Sequence, residues 1–288
     1  MKCMLCPRRC GADREKGQRG RCAAPALPVL ARAARHDWEE PCISGSRGSG
    51  AVFFSGCNLG CVFCQNADIS RKVRGKELDA SALREVFLRL RDSGVHNLNL
   101  VTATPYADTV ARALEQPVGI PVVWNCGGYE SLETLRMLEG KIDIYLPDMK
   151  YSEAGTARLL SGAEDYPEVA DAAIREMYRQ VGDCRFDEDG LLRSGVMVRH
   201  LVLPGYLSSS KGVLEWFADT FRPGQALLSL MAQYTPNGLG GPERPLRQEE
   251  YDEVVDYLYM LGIRDGFVQE LSAADGGYVP AFDGTGLT

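Results

Sequence analysis

The sequence predicts an α/β fold of repeated βα units behind a Cys-rich N-terminal extension. Two observations carry this. From about Ala51 onward, short apolar runs alternate with amphipathic stretches, the sequence form of successive βα units. Residues 1–48, in contrast, are rich in Cys, Arg, Gly and Pro and show no sustained helical or strand period. At 288 residues the chain can bury a sizeable core as one large domain. The expected division is an extension over 1–48, basic and with a possible metal site, and a barrel-like domain over 49–288.

The strand candidates are Ala51–Ser55, Asn97–Thr102, Ile120–Asn125, Ile142–Leu146, Met197–Leu203 and Ala226–Met231, with a short seventh at Phe267–Leu271. Between them, Leu83, Val86, Phe87 and Leu90 recur at helical spacing, and Gly94 can end that helix. A second stripe holds Val169, Ala173, Met177 and Val181, and a third holds Tyr251, Val254, Val255, Leu258 and Leu261 before Gly262. All three read as core faces without chemistry. Six βα units are too few to close a full eight-stranded barrel. In such folds reactive groups gather at the carboxyl ends of the strands, where the loops converge on one face.

The first strand runs straight into Ser55-Gly56-Cys57-Asn58-Leu59-Gly60-Cys61-Val62-Phe63-Cys64-Gln65-Asn66. The spacing, Cys-x3-Cys-x2-Cys, stops one thiol short of the four that close a structural zinc site or an ordinary ferredoxin cluster. Three thiolates on a cubane cluster leave one iron open to a small molecule. A zinc knuckle with a fourth ligand from elsewhere, or inert buried thiols, are the bland alternatives. Gly56 and Gly60 let the loop wrap closely. The pattern resembles that of the radical S-adenosylmethionine (SAM) superfamily. The resemblance implies that Cys57, Cys61 and Cys64 hold a [4Fe-4S] cluster whose open iron chelates SAM, and that the fold is a partial (β/α)6 barrel. Phe63 is then expected near the adenine, with Gln65 also at the SAM site. Cluster potentials reach roughly −700 mV, so a sufficient reductant is available in principle.

The later strand ends supply the remaining SAM-binding candidates. After the second strand, many radical SAM enzymes carry Gly-Gly-Glu-Pro; this chain has none, and Thr102 and Thr104 stand there instead. Asn125-Cys126-Gly127-Gly128 and Asp148-Met149-Lys150 resemble segments of pyruvate formate-lyase activating enzymes. Lys150 suits a carboxylate, Asp148 a cation or a ribose hydroxyl, and Asn125 joins them. An ion pair between Asp148 and Lys150 is the plain alternative, since the two share one strand face. The activases also carry an Asp two residues before that Asn, where this chain has Val123.

Val198-Arg199-His200-Leu201-Val202-Leu203-Pro204-Gly205 is similar to a strand of the same activases. The resemblance places Arg199 as the catalytic-site group near SAM or the substrate. A guanidinium on an apolar strand also needs an anionic or carbonyl partner on physical grounds. His200 alternates to the other face and reads as structural. The sixth strand ends at Gln233 and Tyr234, where the activases place a His near adenosine, so Gln233 or Tyr234 is the candidate. The segments Trp38 to Gly45 and Gly48 to Gly50 extend the resemblance to activase-like proteins of uncertain substrate.

Cys3, Cys6, Cys10 and Cys22 pose a separate question. Four thiols can close a zinc site, hold a second iron–sulfur cluster or stay free. Ten cysteines, no apolar leader and no long apolar run suggest a cytoplasmic, metal-binding chain with no membrane association. The net charge of −7 speaks against a nucleic-acid surface, although residues 1–35 alone carry nine Lys/Arg and two Asp/Glu.

The expected function is that of a radical SAM enzyme, an oxidoreductase working anaerobically. It would cleave SAM reductively to a 5′-deoxyadenosyl radical for hydrogen-atom abstraction. Glycyl-radical activation of a partner protein is one target, and modification of a peptide or small molecule another. Flavodoxin or ferredoxin would serve as electron donor. An iron–sulfur sensing or binding protein that never cleaves SAM is the alternative of a different class.

Overall fold

The computed structural model describes residues 2–273 and 279–287. In chain order the elements are β1 (Val29–His36), α1 (Pro41–Ser44), β2 (Ser49–Phe54), α2 (Ala67–Ser70), β3 (Lys76–Glu77), α3 (Ala80–Asp92), β4 (Leu98–Val101), α4 (Ala107–Ala113), β5 (Val122–Cys126), α5 (Leu132–Leu138), β6 (Ile144–Pro147), α6 (Ala154–Ser161), α7 (Tyr166–Val181), β7 (Arg185–Phe186), β8 (Leu192–Leu201), α8 (Leu207–Thr220), β9 (Ala226–Met231), α9 (Gln248–Met260) and β10 (Gly266–Val268).

Seven strands run parallel in the order β2-β4-β5-β6-β8-β9-β10. The sheet does not close: β10 forms one end, while β1 and β3 continue antiparallel beyond β2 at the other. This is the partial barrel expected from the sequence, with the short seventh strand present beside β9. All six principal strand candidates overlap an observed strand. The first helical stripe is fully buried on α3, and Ala173 and Met177 of the second and Tyr251, Val254 and Leu258 of the third are buried on α7 and α9. Asp79 starts α3 by accepting from the Ala82 amide at 2.9 Å, a side-chain cap at the first turn.

The strand β1 was not foreseen. Its sequence, Val-Leu-Ala-Arg-Ala-Ala-Arg-His, buries Val29, Leu30, Ala31 and Ala33, but alanines give a weak apolar signal and the register shifts between Leu30 and Arg32. The extension therefore contributes a strand to the sheet. The outer edge of β1 is covered in turn: the Ala33 amide donates to Thr285 O and the Gly284 amide to Ala31 O, both at 3.0 Å.

Strand periodicity builds the interior in layers. Side chains two residues apart share a face, so Val123 and Asn125, Met197 and Arg199, and Leu227 and Ser229 stack toward the carboxyl ends. The lower layer is apolar: Val123, Ile144, Met197 and Leu227 pack with Cys42 and Ile43 of α1, which plugs the barrel from below. The next layer up is polar. Asn125, Arg199 and Ser229 all line one cavity of about 480 Å³.

Candidate functional site

The Cys-rich loop leaves β2 at the carboxyl end of the parallel sheet. Gly56 (φ 93°) makes the first turn where a Cβ would lie 2.7 Å from Cys22 O, so this position requires glycine. Cys57, Cys61 and Cys64 all line the cavity. The Ser161 hydroxyl donates to Cys61 Sγ at 3.0 Å and the Ser70 hydroxyl to Cys64 Sγ at 3.4 Å. Burial, followed by the proximity of Cys61 and Cys64, pushes the Cys57 thiol up to about 12. Three crowded buried thiols ionise together only if a cation compensates them.

Among the described residues, no group of three or more His, Cys, Asp or Glu is set to grip a single metal ion. Three thiols on one loop lining one cavity, two of them contacted by serine hydroxyls that can orient the sulfurs, are a donor set that suits an iron–sulfur cluster. The N-terminal thiols are also neighbours, since Cys3 lies within electrostatic reach of Cys10 and Cys22, and Cys6 of Cys22 and Cys3. Cys6 and Cys22 are buried, Cys3 is half-buried and Cys10 is exposed.

The SAM-binding candidates divide cleanly. Phe63, Gln65, Thr102, Asn125, Asp148, Lys150, Arg199 and Gln233 all line the same cavity as the three cysteines. Phe63 is wedged edge-on between Tyr151 and Tyr234, and Gln65 Nε2 donates to Gln233 O at 2.6 Å. Thr102 holds φ +60°, a left-handed conformation uncommon for a β-branched residue and of a kind that clusters at binding sites. Thr104 does not line the cavity. It is buried behind, its hydroxyl donating to Glu130 Oε1 at 2.6 Å.

That contact makes Glu130 a structural acid. Burial raises its carboxyl from 4.5 to about 8, an effect the Thr104 hydroxyl only reduces. The folded chain thus holds this group neutral near pH 7 while the unfolded chain ionises it. Its contribution to stability is complete below about pH 4.5, declines above that, and is lost as pH rises through about 8. Between those limits wild-type stability should fall by a few kcal/mol, at about 1.4 kcal/mol per pH unit. Glu130→Gln, neutral at every pH, should flatten the decline in urea titrations repeated from pH 5 to 8.5. An unchanged slope would show that Glu130 is ionised in the folded chain.

A buried charge ladder descends from the cysteines. Lys150 lies within electrostatic reach of Cys61 and Cys64, and its Nζ meets Asp148 Oδ2 at 2.6 Å. Arg199 Nε meets Asp148 Oδ1 at 3.0 Å. The other Arg199 nitrogens reach Asn125 Oδ1 at 2.6 Å and Glu39 Oε2 at 3.5 Å. Burial alone would raise the Asp148 carboxyl, but Arg199 and Lys150 outweigh it and hold the group below the usual carboxylate range. The pairing of Asp148 with Lys150 is real, yet it is one rung of a network inside the cavity and not an isolated surface pair.

The loop after β5 is fixed by Tyr166, whose hydroxyl accepts from the Lys150 amide at 2.9 Å and lies 2.9 Å from Gly127 O and 2.7 Å from Asp148 O. Gly128 (φ 76°) has no room for a side chain, because a Cβ there would stand 2.2 Å from Asp148 O. His200 is buried on the far face. Its Nδ1 must donate to Met149 O at 2.7 Å, so Nε2 accepts from Ser210 at 2.9 Å. Burial pushes this imidazole down to about 4, so it is neutral and structural, as its place on the strand suggested.

Sequence reasoning missed Glu39 and Glu40. Both line the cavity, delivered from below by the segment that caps α1. Their signal was present in the Trp38-Glu39-Glu40-Pro41 run, but nothing local says that two adjacent carboxylates turn inward.

Among the described residues, no helix is long and apolar enough to cross a membrane. The Radical SAM superfamily model matches residues 51–179. The chain is 28% identical over 245 residues to the Uncharacterized protein MJ0674 of Methanocaldococcus jannaschii, covering 81% of this chain and 66% of that protein. Its fold is similar to that of Streptococcus suis SuiB bound to precursor peptide SuiA, with TM-score 0.53 and 10% identity over 76% of this chain and 48% of SuiB. SuiB bound to S-adenosylmethionine is similar at TM-score 0.50 and 11% identity, covering 76% and 47% of the two chains. The chain thus spans just under two thirds of its curated relative's length and about half of SuiB's.

Proposed function

We propose that this chain, which matches the Radical SAM superfamily model over residues 51–179, cleaves SAM to generate a radical for hydrogen-atom abstraction from a substrate held in the same cavity. The family binds a [4Fe-4S] cluster and SAM. The observation that carries the proposal is the single cavity shared by Cys57, Cys61, Cys64 and the charged ladder. The three cysteines would hold the cluster, leaving one iron without a protein ligand. A cluster held there would supply the electron for reductive cleavage of SAM to methionine and a hydrogen-abstracting 5′-deoxyadenosyl group.

The chain's own groups bind and orient. Lys150 and Arg199 offer N–H donors to the SAM carboxylate, and Phe63 offers a ring face beside the cysteine loop for the adenine. Thr102, Gln65 and Gln233 line the remaining wall. The electron comes from a one-electron donor of the flavodoxin or ferredoxin class.

Abstraction from a glycine of a partner protein is the preferred target, because it needs no acid–base pair on the enzyme. A small peptide is the second reading, supported by the fold shared with SuiB, which was solved with its precursor peptide. Anaerobic reconstitution with iron and sulfide, then reduction in the presence of SAM, should release 5′-deoxyadenosine. A reducible cluster that leaves SAM intact would favour a sensing protein.

A further inference from the structure

The floor of the cavity holds more negative charge than its own cations balance. Asp148, Glu39 and Glu40 face Lys150 and Arg199. The contacts already described engage both cations: Lys150 with Asp148, and Arg199 with Asp148 and Glu39. Two amides complete the shell of Glu39, Asn99 Nδ2 donating to its Oε1 at 2.9 Å and Asn125 Nδ2 at 3.3 Å.

Glu40 is left over. Its Oε2 is buried without a hydrogen-bond partner, and so is Oδ1 of Asn99, a side chain with 0% exposure. Asn99 does not itself line the cavity; it gives its Nδ2 to Glu39 and so positions the doublet from behind. Buried polar atoms without partners are rare in folded proteins, and each calls for an explanation. Both of these orphans are acceptors, so what they lack is N–H or O–H donors. Among the described residues no group of three or more His, Cys, Asp or Glu is set to hold a metal ion, and an anion would add acceptors where donors are lacking.

We propose that Glu40, supported by Glu39 and Asn99, binds a primary ammonium or guanidinium group of the substrate on the cavity floor. This rests on the radical SAM reading of the same cavity. The ladder places the site away from the cysteine loop: Lys150 stands next to the thiols, Arg199 follows, and the doublet comes last, directly above the apolar plug of α1. A cationic group anchored there leaves the remainder of the substrate to extend upward toward the reacting end. Burial raises both glutamate carboxyls against the pull of Arg199, and a bound cation would add to that pull.

The test is calorimetric titration of the reconstituted, unreduced protein with n-butylammonium and n-butylguanidinium, against n-butanol and butyrate, with and without SAM. At least one cation should bind while the alcohol and the acid do not, and Glu40→Gln should weaken that binding at least about tenfold. Binding unaffected by SAM supports a substrate site. Competition with SAM would instead give the doublet to SAM's own amino group and overturn the substrate assignment. Equal binding of butanol by the wild type, or no binding of either cation, would overturn the cation site whether or not the variant folds. The wild type is assayed separately for 5′-deoxyadenosine. Release of 5′-deoxyadenosine without cation binding sinks only this inference, and cation binding without release sinks only the radical reading.

Discussion

Cys61→Ala should strip the cluster from the protein and reduce 5′-deoxyadenosine release to background. The loop holds three thiols and no spare. Cys126 also lines the cavity, but it sits on β5, outside the loop, and burial holds its thiol well above the usual range. Loss of Cys61 also removes one acceptor of the Ser161 hydroxyl, which keeps its 2.7 Å contact with the Tyr151 hydroxyl. Ser161→Ala provides the scale, since loss of an outer partner typically costs roughly 10–100-fold in metal affinity or activity. Iron content and product should therefore fall in part in Ser161→Ala and completely in Cys61→Ala. Full cleavage of SAM by the Cys61→Ala protein would exclude the loop as the cluster site.

The second large effect is expected at Arg199. Its guanidinium faces Asp148, Glu39 and Asn125 inside the barrel, with only 15% of its side chain exposed. Arg199→Ala leaves those carboxylates buried without their main cation, and breaking a buried pair from one side costs about 3–5 kcal/mol. Arg199→Lys should recover part of the stability but not the geometry, since one ammonium cannot reproduce contacts made through three nitrogens. The pH dependence fixes the cause. Asp148 is held below its ordinary 3.8, so its contribution is present above that pH and lost as pH falls through the lower folded value. The gap between wild type and Arg199→Ala in urea unfolding should narrow as pH is lowered below 3.8, through the folded value of Asp148. A constant gap would mean that lost packing, not lost charge, destabilises the variant.

Much of this was legible in the chain. The parallel strands are short apolar runs buried by helices on one side and the barrel interior on the other, and such runs stand out locally. The cysteine loop is legible for a different reason: three ligands at fixed spacing on one turn need no tertiary context. Asn125, Asp148 and Arg199 were also accessible, because a polar residue on a buried strand has to meet a partner. What escaped depends on long-range placement. Nothing near Thr104 says that a glutamate 26 residues on will take its hydroxyl. The strand β1 was hidden by its alanines, and its pairing with β2 is set by the sheet edge. Glu39 and Glu40 escaped because a doublet of carboxylates normally marks a solvated surface, and only the α1 plug turns it into the barrel.

The most direct test is the stoichiometry of SAM cleavage by the wild-type protein, reconstituted and reduced without oxygen. Methionine and 5′-deoxyadenosine should appear in equal amounts, only when reductant is present, and should vanish with the iron when the protein is treated with a chelator. A protein that carries the reduced cluster and binds SAM, yet releases neither product, would contradict the assignment of this cavity to radical chemistry.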